Sequence, residues 1–311
     1  MRINKIYIGK SICRPMKSKI GKLIFEYTKN ARITTKELGK NIGTSQQSAS
    51  YLLMTLKKRR VIEKPVTIID AVNFGFIHVL VGVNLIKTDS LSKKEILEEL
   101  KKIPTITGIE ECKEGLDFLV EHVTPNLSAF NKTNFDLILN YSKKMRIVFI
   151  YPVIVIHEYR KNYLVKTPDP TEKILFGDRT VKELSKEESL VLSELVKNPE
   201  KKLVDISESL HIPIKTVITL KRELEKTGII KGYTAIINNN KVGIHRQILF
   251  LKFPGEGINE INKFSDYAKN NHSIIRFAKM IGEYQVAIIV ESEKEIEIIK
   301  SSLCSNLRFC C

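Results

Sequence analysis

Two short stretches of the chain concentrate side chains that can hold a polyanion and read a pattern of donors and acceptors. The first carries Ser45, Gln46, Gln47, Ser48, Ser50 and Tyr51 and closes on Lys57, Lys58, Arg59 and Arg60. The second carries Lys215, Thr216, Thr219, Lys221, Arg222 and Lys226. Glutamine pairs bidentately with adenine, serine and threonine serve several bases, and lysine and arginine reach guanine edges and phosphate oxygens. Both sets therefore suit contact with double-stranded DNA. For the run Lys57 to Arg60 a second reading stays open, because cations at a helix C-terminus also complement the helix dipole.

Side chains of this kind need a rigid helix to hold them, and the flanking sequence supplies one in each case. Over 201–234, Ile206 and Leu210 lie four apart on a first short helix, and His211 and Ile212 fill a tight turn. Pro213 then opens a second helix whose inner face is Val217, Leu220 and Leu224 and which Gly228 terminates. Helix, sharp turn and helix is the layout of a helix-turn-helix with a recognition helix over 213–226. In the first copy the recognition helix spans 45–57, with Ala49, Leu52 and Leu56 inward. Capping boxes are expected at Thr34 with Glu37, at Thr44 with Gln47, and at Ser185 with Glu188.

The two copies align without gaps at a shift of 168 (230 − 62 = 168): Leu38 meets Ile206, Ile62 meets Ile230, Gly75 meets Gly243 and Val120 meets Ile288. A repeat on this scale means two similar domain pairs in tandem. After each helix-turn-helix and its short wing the pattern changes. In the first copy it reads as strand 76–86, helix 91–102, strands 105–112 and 116–123, helix 127–141 and strand 147–157, a ferredoxin-like βαββαβ unit. In the second it reads as strand 247–253, helix 258–269, strands 273–280 and 284–291 and helix 293–303, with the last strand lacking.

The expected fold class is thus α+β: two winged helix-turn-helix domains, each followed by a ferredoxin-like domain. The boundaries are a tail over 1–16, which could also be an edge strand, domains over 17–70 and 71–160, a linker over 161–184, and domains over 185–240 and 241–311. The 311 residues carry 51 Lys and Arg against 35 Asp and Glu, a net charge of +16 that favours a polyanionic partner. Five scattered cysteines suggest no disulfide framework, so a cytoplasmic setting is expected. No run approaches the ~18 apolar residues of a membrane helix, and the basic start lacks a signal-peptide pattern. His78, His122 and His157 read as packed or solvated strand residues, and Cys304, Cys310 and Cys311 are too weak a cluster for a metal, so neither metal nor cofactor is expected.

The segment TGIIKGYTAIINNNKVG after a helix-turn-helix, with a ferredoxin-like unit behind it, resembles the Lrp/AsnC (feast/famine) family of transcription regulators. The resemblance is best over 186–253 and looser over 258–291; the first module matches in layout more than in sequence. It implies sequence-specific DNA binding by the two recognition helices, self-association through the sheets of the sensor domains, an amino acid as a possible effector, and no enzymatic activity. It places a glycine-acid effector pattern on Gly115 and Asp117; in the second module Gln285 stands where the acid is expected. Two alternatives stay open. One is a fused enzyme like the sirohaem decarboxylases of an Lrp-like branch, for which His245-Arg246 is the only adjacent His-Arg pair and Arg276 the only arginine along 273–291. The other is an architectural DNA-binding protein.

Overall fold

The structure is a computed structural model that describes residues 2–8, 19–86, 90–112, 115–253 and 258–293. In chain order it comprises β1 (Arg2–Ile8), α1 (Lys19–Lys29), α2 (Thr35–Ile42), α3 (Gln46–Lys58), β2 (Ile62–Ile69), β3 (Ile77–Leu85), α4 (Ser90–Lys101), β4 (Ile106–Glu111), β5 (Phe118–Thr124), α5 (Leu127–Tyr141) and β6 (Met145–Tyr159). There follow β7 (Glu172–Phe176), α6 (Lys186–Lys197), α7 (Leu203–Leu210), α8 (Ile214–Lys226), β8 (Ile230–Ile237), β9 (His245–Lys252), α9 (Ile258–Asn270), β10 (Ile274–Met280) and β11 (Val286–Ser292). The expected helix over 293–303 and the three C-terminal cysteines fall almost wholly outside the described residues.

The α+β class and the ferredoxin-like order are as the sequence predicts. Strands of the first unit run β6-β3-β5-β4, all antiparallel, and those of the second run β9-β11-β10. The place that β6 holds beside β3 is taken in the second unit by β1, which pairs antiparallel with β9 from Arg2↔Lys252 to Ile8↔Arg246. The second unit therefore lacks a C-terminal fourth strand of its own among the described residues, and the N-terminal segment fills that position as an edge strand.

Near-continuous apolar strands such as Val79 to Val83 and Ile248 to Leu251 are explained by burial on both faces. Val79, Val81 and Val83 of β3 face Ile96 and Leu100 of α4 and Phe130 and Leu137 of α5. Leu249 and Leu251 of β9 and Val286, Ile288 and Val290 of β11 face Phe264 and Ala268 of α9. The alternate residues of the two units meet each other: Leu80, Leu119 and Tyr151 from one, Ile248, Phe250, Ala287 and Ile289 from the other. β6 joins the sheets, with Met145 to Val153 alongside β3 and Val153 to Glu158 alongside β10.

The linker is more structured than the sequence suggests. Its β7 pairs with the end of β6, from Val155↔Phe176 to Tyr159↔Glu172. Phe176 takes a positive φ of 61°, and its N–H donates to the buried Asp70 carboxylate at 2.8 Å.

The histidines are packed, as expected. His78 stacks on Phe176, His122 meets the edge of Phe130, and His157 Nδ1 lies 3.1 Å from Glu172. Burial pushes the His122 pKa down to about 4, with His78 adding to the effect. A base whose folded pKa is depressed is fully tolerated only while the unfolded chain is also neutral there. Stability should therefore fall as pH drops from about 6.5 to about 4, by up to about 3 kcal/mol from this residue. Urea midpoints across that range should show the decline, and His122→Gln should flatten it.

Candidate nucleic-acid interface

Both helix-turn-helix units form because short helices carry one apolar face each and pool those faces. Leu38, Ile42, Ala49, Leu53 and Leu56 of the first unit share one core with Val191, Leu195, Ile206, Val217 and Leu224 of the second. Leu53, rather than Leu52, is the buried middle residue of α3; Leu52 packs at the margin. The helix starts are set by caps. Thr34 Oγ1 accepts from Glu37 N, and Ser185 and Glu188 form both bonds of a capping box. The cap of α3 is Ser45, one residue later than expected, with its Oγ accepting from Ser48 N at 3.2 Å. In α8 the cap is Pro213 at ψ 138°, and His211 closes the preceding helix at φ 54°.

The wings are not free arms. β2 and β8 pair antiparallel with each other, Ile62 opposite Ile237 and Ile69 opposite Ile230. Val66 faces Thr234, which is its own counterpart at the shift of 168 (234 − 66 = 168). A residue opposite its own repeat equivalent marks a twofold axis, so a pseudo-dyad passes through the ribbon. The arrangement is crosswise: α1 packs on β8 and α6 on β2, with Thr234 Oγ1 donating to Thr28 O at 2.8 Å and Thr67 Oγ1 to Leu195 O. One chain thus builds what a twofold dimer of helix-turn-helix units would build.

The pseudo-dyad puts α3 and α8 in equivalent positions with different side chains outward. Gln47, Tyr51 and Met54 line the exposed face of α3, and at the shift of 168 Lys215, Thr219 and Arg222 line that of α8. Tyr51 is 71% and Met54 67% exposed, far more than such side chains are when packed. Met54 is absent from the sequence-derived set; its position seven after Gln47, on the same helical face, was the available signal. Gln46 Nε2 donates to Thr35 Oγ1 and Thr219 Oγ1 to Lys215 O, while Ser45 is taken up by capping.

Among the sequence candidates, two lysines are engaged elsewhere. Lys57 Nζ pairs with Glu200 at 2.6 Å and lies over the Tyr27 ring, joining the two units, and Lys221 Nζ pairs with Glu225 at 2.6 Å over the Tyr233 ring. Lys58, Arg59, Arg60 and Lys226 are exposed at the helix ends, while Ser50 and Thr216 are half-buried.

The glycine-acid pair has a local explanation. Asp117 Oδ2 accepts from Leu85 N at 2.8 Å, and Gln285 Oε1 accepts from Phe253 N at 2.9 Å. These are equivalent positions in the two copies (285 − 117 = 168). A carboxylate and an amide oxygen perform the same task, tying a hairpin to the end of the first sensor strand, and Gly115 supplies a positive φ of 83° beside it. Asp117 and Gly115 line no cavity with the cationic groups below.

Charges that local spacing does not reveal gather instead under the ribbon, around a cavity of about 590 Å3 between β8 and the sensor strands. Arg246 bridges Glu110 at 2.6 Å and Glu291 at 2.7 Å; Arg276 bridges Glu121 at 2.8 Å and Glu158 at 2.7 Å. Glu291 also accepts from Lys161, Tyr163 and Asn239. Arg276, the one arginine along 273–291, and Arg246 of the His245-Arg246 pair both line this cavity, each neutralised by two glutamates. Among the described residues no group of three or more His, Cys, Asp or Glu side chains could hold a metal ion, and no helix is long and apolar enough to cross a membrane.

A tandem pair of helix-turn-helix units about a pseudo-dyad, over two facing ferredoxin-like sheets, defines a chain built as a fused dimer. No family model matches the chain. An HTH-type transcriptional regulator of Pyrococcus horikoshii is 25% identical over 124 residues, which cover 40% of this chain and 80% of that protein. One of Pyrococcus abyssi is 22% identical, covering 41% and 86%. Over nearly the whole chain the fold resembles that of the sirohaem decarboxylase NirDL, solved with an iron-uroporphyrin III analogue, at a TM-score of 0.54 and 12% identity, covering 92% of this chain and 87% of that one.

Proposed function

We propose that the protein is a sequence-specific DNA-binding transcription regulator whose single chain reads an asymmetric site through α3 and α8. The observation that carries this reading is the pair of exposed stripes related by the pseudo-dyad. Gln47, Tyr51 and Met54 offer an adenine-pairing amide and apolar surface for a thymine methyl; Lys215, Thr219 and Arg222 offer cations for guanine edges and phosphates. The likeness to HTH-type regulators supports the class.

Binding to genomic fragments over a salt series, against random DNA, tests the proposal. A few fragments should be selected, with affinity falling steeply as salt rises. Unlike half-sites about one helical turn apart should appear in the footprint. If Lys215 holds a phosphate, Lys215→Ala should reduce the salt slope by about 1 and weaken all sequences alike, whereas Gln47→Ala should relax selectivity in the other half-site only, by about 1–3 kcal/mol. Equal affinity for every duplex, or identical palindromic half-sites, would overturn it.

The resemblance to NirDL is one of fold, and it makes the enzyme reading the second one. The cavity under the ribbon opposes it. Five glutamates, Glu63, Glu110, Glu121, Glu158 and Glu291, line that space against five cations, Arg160, Lys161, Lys173, Arg246 and Arg276, so it offers a polycarboxylated tetrapyrrole no net positive charge. Purified protein should show no haem-like absorption after incubation with sirohaem; a stoichiometric band would favour the enzyme.

A further inference from the structure

We propose that the helix-turn-helix interface carries a charge pattern that makes each module accept the other and reject its own kind, so that two chains that meet can exchange modules only unlike for unlike. The pattern shows when each contact between the modules is moved by the shift of 168. Lys57 of the first module pairs with Glu200 of the second at 2.6 Å. Both lie on Tyr27, the lysine over the ring and the carboxylate accepting from the hydroxyl at 2.7 Å. The counterparts of Lys57 and Glu200 are Glu225 and Arg32 (57 + 168 = 225, 32 + 168 = 200). These two also share one tyrosine, Tyr233. The Arg32 guanidinium lies 5.3 Å from the ring centroid, and burial together with the Glu225 carboxylate pushes the hydroxyl pKa up. The dyad therefore relates a cation and an anion to an anion and a cation.

A second pair of contacts, at the two ends of the ribbon, is unlike in the same way. Asn238 Nδ2 donates to Glu63 at 2.9 Å at one end, and Lys231 Nζ stands 3.6 Å from Asp70 at the other. Glu63 and Lys231 are equivalents, as are Asp70 and Asn238 (63 + 168 = 231, 70 + 168 = 238). Like pairing fails at these points. Two first modules about the same axis would set Lys57 against Arg32 and Glu63 against the fully buried Asp70, each contact occurring twice. Two second modules would set Glu225 against Glu200, again twice. Opposed like charges suppress a wrong partner.

The rest of the ribbon does not discriminate. Ile62 and Ile230 are isoleucines at matched positions, as are Ile69 and Ile237, and a backbone ladder is the same for any pairing. Selectivity thus falls to the charges. The partner that the first module fits is a helix-turn-helix module with an acid where Arg32 stands and a neutral side chain where Asp70 stands. Within this chain that partner is the second module. However chains meet, one α3 and one α8 stand together. Neither the contacts nor the test involves DNA, so the inference stands apart from the proposed regulator.

The test traps the pairing in the full chain. Val66 faces Thr234 in the native ribbon, so in a like pair position 66 faces position 66 of a second chain. Val66→Cys chains are unfolded in urea, refolded together at high protein concentration and oxidised, and the 66–66 link between chains is counted by peptide mass. With the natural charges that link should be scarce, while Val66→Cys with Thr234→Cys should join 66 to 234. Arg32→Glu with Glu200→Arg makes each module complementary to itself and should raise the 66–66 link about tenfold or more. Adding Lys57→Glu and Glu225→Lys restores the unlike match with its signs reversed and should return the link to its natural level. The linker is the same in every chain, so its tethering effect cancels. If the exchanged chain does not regain its circular dichroism, Arg32→Gln with Glu200→Gln removes the pattern without inverting it and should still raise the link about threefold. In about 1 M salt the natural chain should lose part of its selectivity. Equal yields in all backgrounds, an abundant 66–66 link with the natural charges at low salt, or a rise that survives the restoring substitutions would overturn the proposal.

Discussion

Replacing Glu291 by alanine should cost the folded protein about 3–5 kcal/mol, the range expected when one partner is removed from a buried ion-pair network. Glu291 is fully buried on β11 and receives four donors: Lys161 and Tyr163 from the segment after β6, Asn239 from the turn after β8, and Arg246 from β9. Through Arg246 the network reaches Glu110 on β4. One carboxylate therefore joins both sensor units to the second helix-turn-helix unit, and its loss leaves Lys161 and Arg246 without their shared counter-charge. Burial opposes its ionisation, but Lys161 and Arg246 overcome that and hold its pKa well below the carboxylate range. Its contribution is present above the unfolded pKa of about 4.3 and lost as pH falls through the lower folded value. Urea midpoints should differ widely between wild type and Glu291→Ala at neutral pH and converge in strong acid. A midpoint difference that persists unchanged in acid would show that packing, not charge, carries the effect. A double-mutant cycle with Lys161→Ala should show coupling well above zero.

Removal of residues 1–8 is the second large perturbation. β1 covers the outer edge of β9 along seven paired positions, from Arg2↔Lys252 to Ile8↔Arg246. At a net value of about 1 kcal/mol per hydrogen bond, loss of that ladder should cost about 3 kcal/mol or more. The damage should stay local at first. Amide exchange should accelerate across β9 and β11 while α1 to α3 and β3 to β6 keep their protection, because the two cores of the second unit and the helix-turn-helix units are separate. The freed edge of β9 is also apolar, with Leu249 and Leu251 on one side and Ile248 and Phe250 on the other, so the shortened chain should aggregate more readily. Uniform loss of protection over the whole chain would contradict the assignment of β1 to a single sheet.

Legibility from sequence follows contact range. The caps at Thr34 and Ser185, the helix at 127–141 and the shift of 168 are local or repeated patterns, and all appear in the structure. The shift turned out to have geometric meaning as well, since it picks out Val66 and Thr234 as the residues that face each other across the pseudo-dyad. Contacts between distant segments have no such signature. Nothing near Lys57 announces Glu200, and nothing near Arg246 announces Glu110. The same holds for β7, whose partner on β6 makes a strand of what reads as polar linker, and for β1. Asp117 shows a second kind of ambiguity. A residue type that fits a binding pattern can be spent on a backbone amide, and its repeat counterpart Gln285 reveals this by doing the same work without a charge.

The pairing of β1 with β9 also sets a clock. The partners are 250 positions apart at one end of the ladder (252 − 2 = 250) and 238 at the other (246 − 8 = 238). At about 5–20 residues per second, the ribosome delivers β9 roughly 12–50 s after β1. Over that interval the first helix-turn-helix unit and the first sensor sheet, whose contacts are closer in sequence, have time to form. β1 meanwhile waits as an unpaired strand, and its ladder can close only after residue 252 has been made.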